Sequence, residues 1–288
     1  MAQDHKAFIT AVYRGCLRRE PDETGRRNYL TLLQSSALTW EGVLDSVLSS
    51  QEFIEQYDHR SNSARAMESL HKARMTMVRE HLPAGGTVVD LGGSSTTNPE
   101  GALLEMGYPH APKELIIIDL PPDQRFRKSG HDEPTLRTGR GTLIRYLHRP
   151  MTDLSGIADA SVDLVFSGQS IERVTEEQAN GVFQEALRVL RPGGHFCLDT
   201  PNARLTRIQS PSALIHPEHK KEYYVPELKA KLTQFGFSIT AAKGICPMPV
   251  SLASRSFDVR EMTRNCGLSD DPETCYVFFL RAMKAGTP

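Results

Sequence analysis

The sequence predicts a doubly wound α/β sheet with a small all-helical domain in front of it. Two features carry that reading. From Gly86 onward, short apolar β runs alternate with helical stretches, the pattern of a mainly parallel sheet covered on both faces. Before that point, residues 5–57 show only helical spacing of apolar side chains. The chain has 288 residues, 39% hydrophobic and 24% charged, enough for one ordinary α/β domain and a smaller unit, each with a packed core. The expected division is 1–60 for the helical domain, read as an interaction or docking unit, and 65–288 for the α/β domain.

In the front unit, Phe8, Val12 and Tyr13 lead at helical spacing to Leu17, and Leu30, Leu32 and Leu33 mark a second apolar face. Pro21-Asp22-Glu23-Thr24-Gly25 reads as a turn and helix start. A third helix is expected over about Thr39–Leu48, with Ser49 or Ser50 capping a short one at Gln51–Tyr57. The polar stretch Asp58–Ala64 reads as a hinge before a helix over Ala66–His81.

In the second unit, Thr87–Leu91, Leu115–Asp119, Thr142–Leu147 and Val162–Phe166 read as the first four strands, with a short helix at Gly101–Met106. A helix over Glu176–Leu190 leads through the turn Arg191-Pro192-Gly193-Gly194 to a strand at His195–Asp199. Pro226–Phe235 reads as helix, and Phe237–Gly244 and Thr274–Ala282 as strands.

The bulk numbers exclude several classes of function. With 34 basic and 35 acidic residues the formal net charge is -1, so no long-range field gathers nucleic acid or an anionic membrane. A single Trp gives no base-stacking surface. No apolar run approaches the roughly 20 residues that span a bilayer, and Met1–Lys6 lacks the pattern of a secretory signal. The cysteines, Cys16, Cys197, Cys246, Cys266 and Cys275, form no C-x-x-C pair and read as reduced thiols of a cytoplasmic protein.

In doubly wound sheets, ligands sit beyond the carboxyl ends of the strands. The first such end is Asp90-Leu91-Gly92-Gly93-Ser94-Ser95. Its glycines let the backbone turn sharply and approach a ligand closely. An acid directly before them repels a diphosphate but suits a ligand with an ammonium group, such as S-adenosylmethionine (SAM). The dinucleotide pattern G-x-G-x-x-G is missing, which weakens the case for NAD. A plain strand-to-helix turn is the competing reading. At the second strand end, Asp119 can accept both hydroxyls of a ribose.

Asp159-Ala160-Ser161-Val162-Asp163-Leu164-Val165-Phe166-Ser167-Gly168-Gln169-Ser170-Ile171-Glu172 resembles the fourth strand and following loop of class I SAM-dependent methyltransferases. Glu185-Ala186-Leu187-Arg188-Val189-Leu190-Arg191-Pro192-Gly193-Gly194 is similar to their helix and turn before strand five. The resemblance covers about residues 65–284 and implies a Rossmann-like sheet whose final strand is inserted antiparallel. It implies that Asp90, Gly92, Gly93 and Ser94 surround the methionine end of SAM, with the ribose on Asp119 and the adenine beside Leu120. Met151, Thr152 and Asp153 would contact the adenine, and Ser167, Gly168 and Gln169 would line the floor between cofactor and acceptor. This chain departs from the family at Ser94-Ser95, where many members have Gly-x-Gly, and at Pro150-Met151, where an acid often reaches the adenine amine.

The acceptor side resembles a subgroup of these enzymes associated with bacterial saccharides and surface glycans. The resemblance rests on Gly168-Gln169-Ser170-Ile171-Glu172, on Leu198-Asp199-Thr200-Pro201-Asn202-Ala203-Arg204 and on His216-Pro217-Glu218-His219-Lys220-Lys221-Glu222-Tyr223. Arg173 stands where that subgroup has a His. Methyl transfer to a hydroxyl needs a base for its proton, and His219, His216 and Glu172 are the candidate catalytic residues, His219 foremost. Alternatively, His219, Glu172 and Asp199 hold a divalent cation such as Mg that orients sugar hydroxyls. A third reading makes all of them capping and surface-pairing residues. Arg125, Arg127, Lys128, Arg137 and Arg140 concentrate positive charge in one loop, either over a phosphate-linked sugar or as solvated surface.

The segment Phe8–Asp22 with Ser50-Gln51-Glu52-Phe53 resembles a small helical domain that recurs in bacterial glycan-related proteins. It implies docking, a glycan-enzyme partner, or a homodimer. The leading expectation is a cytoplasmic O-methyltransferase acting on a saccharide or glycan intermediate. The alternatives are a small-molecule methyltransferase of secondary metabolism and a non-catalytic SAM-binding scaffold. Methylation of nucleic-acid amines is disfavoured, because Ser167-Gly168-Gln169-Ser170 replaces the Asp/Asn-Pro-Pro-aromatic box expected after strand four.

Overall fold

The computed structural model describes residues 2–125 and 135–286. The chain forms two compact units divided between Arg65 and Ala66. The first unit contains α1 (Ala2–Val12), a wide turn of helix at Tyr13–Leu17, α2 (Glu23–Gln34), α3 (Trp40–Leu48) and the start of α4 (Gln51–His81). Its core is Ile9, Val12, Tyr13, Leu17, Leu33, Val43 and Val47. The expected helix starts are present. Asp22 accepts from the Gly25 N–H (2.8 Å), Thr39 from Gly42 (3.1 Å) and Ser50 from Phe53 (3.2 Å).

The hinge expected at Asp58–Ala64 does not form, because α4 runs unbroken for 31 residues. Nothing in Asp58–Ala64 breaks a helix, since the stretch has neither Gly nor Pro and polar side chains are tolerated on an exposed face. Past the division, Ala66, Leu70, Ala73 and Met77 recur at helical spacing and are buried.

The second unit is a nine-stranded sheet in the order β3-β4-β2-β1-β5-β6-β9-β7-β8. The strands are β1 (Thr87–Leu91), β2 (Glu114–Asp119), β3 (Thr135–Arg137), β4 (Leu143–His148), β5 (Val162–Gly168), β6 (Leu190–Pro201), β7 (Phe237–Pro247), β8 (Leu268–Ser269) and β9 (Cys275–Lys284). Besides α4 from Ala66 onward, the α-helices of this unit are α5 (Ala102–Glu105), α6 (Glu176–Val189), α7 (Ala203–Gln209), α8 (Val225–Gln234), α9 (Pro249–Ser254) and α10 (Arg260–Arg264). Strands β4, β2, β1, β5 and β6 are parallel. The final strand β9 enters antiparallel between β6 and β7, as the resemblance implies.

Two apolar layers cover the sheet because alternate strand residues point to opposite faces. Val88, Leu115, Ile117, Leu164 and Phe166 join Leu70, Ala73 and Met77 of α4 on one side. Val89, Ile116, Ile118 and Val165 join Val182 and Phe183 of α6 and Leu228 of α8 on the other. α6 opens on a reciprocal cap, with Thr175 accepting from the Gln178 N–H and the Gln178 side chain from Thr175. β3, α7, α9, α10 and β8 were not expected from the sequence, and β6 begins five residues earlier than expected, through Arg191-Pro192-Gly193-Gly194.

Candidate cofactor and acceptor site

The parallel strands β1, β2 and β5 end side by side, and their loops build one cleft lined by His71, Arg74, Asp90, Gly92, Gly93, Phe166 and Gly168, among others. Gly92 has φ 72°, and a Cβ there would lie 2.8 Å from Ser170 Cβ, so the turn needs glycine. Ser170 Oγ donates to the Leu91 carbonyl (2.8 Å) and meets Ser167 Oγ (2.6 Å), which locks the ends of β1 and β5 together. The serine pair that replaces the family's second glycine is structural in part. Ser95 Oγ accepts from the Thr97 and Asn98 N–H groups (both 3.1 Å) and donates to Glu105 (2.5 Å), fixing the loop that leads to α5.

The residues expected around the methionine and ribose ends come together. Asp90 is buried, with Gly93 folded against its carboxylate. The Ser94 N–H donates to Asp119 Oδ2 (3.2 Å), joining the first two strand ends. Asp119 also accepts from the Leu120 N–H (2.8 Å), and Arg125 stands 3.7 Å from its carboxylate. Leu120 is half-exposed beside it.

Met151, Thr152 and Asp153 follow β4, which neighbours β2. There the Asp153 carboxylate accepts from Ser155 (2.9 Å) and stands 3.8 Å from Arg149, and Thr152 lies against Gly181 of α6. Ser167 is fully buried, Gly168 lines the cleft, and Gln169 holds a left-handed backbone with φ 54°. The Gln169 N–H donates to both the carbonyl (2.9 Å) and Oδ1 (3.1 Å) of Asp199. A strained residue at a strand end beside a cleft is a common mark of a binding site.

Several buried polar atoms here have no protein partner: Asp90 Oδ2, Ser94 Oγ, Gln169 Nε2 and Glu172 Oε1. Such atoms are costly to bury unpaired and mark a place where a polar ligand completes the hydrogen bonding. The set fits SAM: a carboxylate for its ammonium, hydroxyl and amide donors for its carboxylate, and Asp119 for its ribose. Burial pushes Asp90 up to about 7, with Asp119 and Asp199 adding to the rise.

Sequence reasoning missed Arg74 of α4, whose Nε donates to Asp199 Oδ2 (2.5 Å) and Nη2 to Oδ1 (3.1 Å). No local signal reveals this pair, since the partners are 125 residues apart. The expected divalent-cation site at Asp199, Glu172 and His219 is not supported. Asp199 is spent on Arg74, Glu172 accepts from Thr200 Oγ1 (2.9 Å), and His219 turns to Glu222. Among the described residues no group of three or more His, Cys, Asp or Glu side chains is placed to hold a metal.

On the acceptor side, the Glu172 carbonyl accepts from the Lys220 (2.8 Å) and Lys221 (3.1 Å) N–H groups, and Arg173 pairs with Glu218 (3.1 Å). The segment carrying His216 and His219 is thus tied to the loop after β5, and the two rings lie 5.4 Å apart. His216 Nδ1 accepts from the Glu218 N–H (3.2 Å). His219 is buried and its Nδ1 lies 2.8 Å from Glu222 Oε1.

Glu222 also accepts from Thr206 Oγ1 (2.6 Å) and the Ile215 N–H (2.9 Å). Burial pushes Glu222 up, but these hydrogen bonds outweigh it and hold the acid below its ordinary value. An ionised Glu222 only accepts, so His219 Nδ1 carries the proton and Nε2 keeps its lone pair. Burial lowers the His219 pKa. The sequence expectations gave Glu222 no role of its own, although its spacing three residues after His219 was there to be read.

Of the basic cluster, Arg127 and Lys128 lie outside the described residues. The others serve separate places: Arg125 the Leu120 carbonyl, Arg137 the Gly141 carbonyl and Arg140 the Pro109 carbonyl. A broader groove in the helical unit is lined by Arg19, Glu52, Gln56 and Arg60, among others, and its central charges pair with each other, Arg19 with Glu52 at 2.7 Å.

Residues 98–198 match the methyltransferase domain family Methyltransf_11, and residues 2–57 match DUF4214, a domain of unknown function. A protein of Mycolicibacterium smegmatis named "Probable S-adenosylmethionine-dependent methyltransferase" is 39% identical over 117 residues, 40% of this chain and 44% of its own length. The chain thus spans under half of that relative.

A Thermotoga maritima SAM-dependent methyltransferase structure superposes with TM-score 0.53 at 14% identity, covering 81% of this chain and 96% of that one. A chain from the complex of the Haloferax volcanii Trm112 methyltransferase activator with a methyltransferase gives 0.52 at 16%, covering 78% and 94%. The second unit therefore has the Rossmann-like fold of these structures, and part of it, residues 98–198, matches a methyltransferase domain. No helix among the described residues is long and apolar enough to cross a membrane.

Proposed function

We propose that this chain is a SAM-dependent O-methyltransferase of the cytoplasm that methylates a hydroxyl of a saccharide or glycan intermediate. The observation that carries the reading is the set of unpartnered buried polar atoms, Asp90 Oδ2, Ser94 Oγ and Gln169 Nε2, at the carboxyl ends of β1 and β5. When bound, SAM supplies a methyl group made electrophilic by its sulfonium. Asp90, Gly92, Gly93 and Ser94 hold the methionine end, and Asp119 the ribose, with Leu120 and the 151–153 segment toward the adenine. Ser167 braces the floor through Ser170, while Gly168 and Gln169 face the reacting groups.

On the acceptor side, His219 accepts the hydroxyl proton at Nε2 while Glu222 steadies the imidazolium through Nδ1. Its lowered pKa keeps the ring neutral and ready at pH 7. The unpartnered hydroxyl of Tyr223, next to this segment, suits an acceptor rich in hydroxyls. The front unit serves docking to a partner of the same glycan chemistry or to a second copy.

His219→Ala is expected to leave the Kd for SAM within twofold and to reduce methylation of the true acceptor by about 10²–10⁴-fold. Normal turnover in that variant would remove His219 from the reaction. Methyl transfer to a panel of nucleotide sugars and oligosaccharides, followed by mass spectrometry, tests the acceptor class. Turnover confined to non-sugar hydroxyls would favour a small-molecule enzyme.

A further inference from the structure

The loop from β1 to α5, residues 92–101, serves both halves of the cofactor site through one residue. The Ser94 N–H donates to Asp119 Oδ2 (3.2 Å) on the ribose side, and the buried Ser94 Oγ has no protein partner. Whatever fixes Ser94 is therefore felt by both halves. The far part of the loop is fastened to the sheet. Tyr146 Oη of β4 donates to the Pro99 carbonyl (2.8 Å), and a Cβ on Gly101 (φ 90°) would collide with Ile117 of β2. The Ala102 N–H closes the loop on the Gly93 carbonyl (2.8 Å).

Between these anchors the loop is held by Glu105, the last residue of α5. Glu105 Oε2 accepts from Ser95 Oγ (2.5 Å), and Oε1 accepts from Thr97 Oγ1 (2.6 Å). Ser95 Oγ in turn accepts from the Thr97 and Asn98 N–H groups (both 3.1 Å). The backbone of residues 95–98 is thus wrapped round one hydroxyl that hangs on one carboxylate. The two hydroxyls hold Glu105 below its ordinary value, so it is ionised at neutral pH and only accepts. Glu105 also lines the cleft, as Asp90 does. The two acids are differently placed to meet a ligand: each Glu105 oxygen already accepts a hydroxyl, whereas Asp90 Oδ2 has no protein partner.

We infer that Glu105 is a positioning residue of the cofactor site, holding Ser94 in register for the ribose and methionine ends together through Ser95 and Thr97; this rests on the SAM reading above. Glu105 does not itself take the ligand's ammonium, which goes to Asp90. A glycine-rich turn samples many conformations and loses that freedom when a ligand binds. A turn braced by two hydroxyls on a carboxylate is ordered before the ligand arrives, so binding costs less conformational entropy. The brace acts on the loop and not on the ligand's tail. Its loss therefore weakens any ligand that carries the ribose, with or without the amino-acid end.

Titration calorimetry with S-adenosylhomocysteine (SAH) and 5′-methylthioadenosine tests this. The second ligand keeps the adenine and ribose but lacks the amino-acid end, and its affinity is read by displacement of SAH where it binds weakly. Glu105→Ala is expected to weaken both ligands by about tenfold, the weight of a charge-assisted hydrogen-bond pair. Glu105→Gln, which keeps an accepting oxygen, should recover part of that loss. Glu105 is exposed, so both variants are expected to keep the far-UV circular dichroism of the wild type. In a Ser95→Ala, Thr97→Val background, adding Glu105→Ala should change either affinity by less than about twofold. A loss confined to SAH would make Glu105 a direct ligand of the amino-acid end and overturn the inference while leaving the SAM site standing. Wild-type affinities in Glu105→Ala would do the same, as would an undiminished Glu105→Ala effect in the Ser95→Ala, Thr97→Val background. Wild-type protein that binds neither ligand would overturn both readings.

Discussion

At the scale of single residues, the site is built from groups held in unfavourable states. Asp90 and Glu172 are buried acids pushed from ordinary values of 3.8 and 4.5 to about 7. The sign of their effect on stability follows by linkage. Below about pH 4 both are protonated, folded or not, and their contribution is complete. As pH rises from about 4 to 7 the unfolded chain ionises first, so these two groups progressively lower stability until their folded pKa values are passed.

Other carboxylates, such as Glu105 and Asp258, are held low and act in the opposite sense. The comparison that isolates the effect is therefore between variants. The difference in Tm between Glu172→Gln and wild type is expected to move in favour of the variant between pH 5 and pH 8. A difference that stays constant across that range would refute it. The placement of Asp90, Gly92 and Asp119 at the ends of β1 and β2 was legible because strand ends advertise themselves in sequence. The orphaned oxygens were not, since burial on both sides of a side chain is a property of the fold.

Elements show the same division. β1 and β2 are parallel strands buried on both faces, so they read as unbroken apolar runs, Thr87–Leu91 and Glu114–Asp119. β3 has three residues and one partner and carries no pattern of its own. Its existence depends on pairing with Leu143–Arg145 of β4. α4 was read as two helices with a hinge because polarity was taken for a break, whereas only Gly, Pro or a competing cap would end it.

The consequence for the site is large, because α4 delivers Arg74 to Asp199 at the end of β6. Removing one member of a buried ion pair strands the other, so Arg74→Met should cost about 3–5 kcal/mol in urea unfolding. Arg74→Met combined with Asp199→Leu should recover most of that loss. A double variant no more stable than the single one would mean that Arg74 matters through packing alone. At the start of α6, Thr175→Ala should cost about 1 kcal/mol by the same measurement, since Thr175 caps the helix reciprocally with Gln178.

For the whole molecule, two separate cores meet one chain. The helical unit packs Ile9, Val12, Leu33, Val43 and Val47 among themselves, while the sheet unit draws its apolar layers from Ala66 onward. Every residue lining the cofactor cleft belongs to the sheet unit. A chain beginning at Ser61 is therefore expected to fold and to bind SAM within about twofold of the full-length protein, as calorimetry would report. Loss of binding in a folded chain of that kind would assign the helical unit a part in the cofactor site.

Titration calorimetry of SAM into the wild type and Asp119→Ala is the sharpest test of a SAM site at the ends of β1 and β2. Micromolar binding is expected, weakened in Asp119→Ala by about 1–3 kcal/mol, the cost of a lost charge-assisted hydrogen bond. No heat of binding with the folded wild type, or an Asp119→Ala variant that binds as well as its parent, would contradict it.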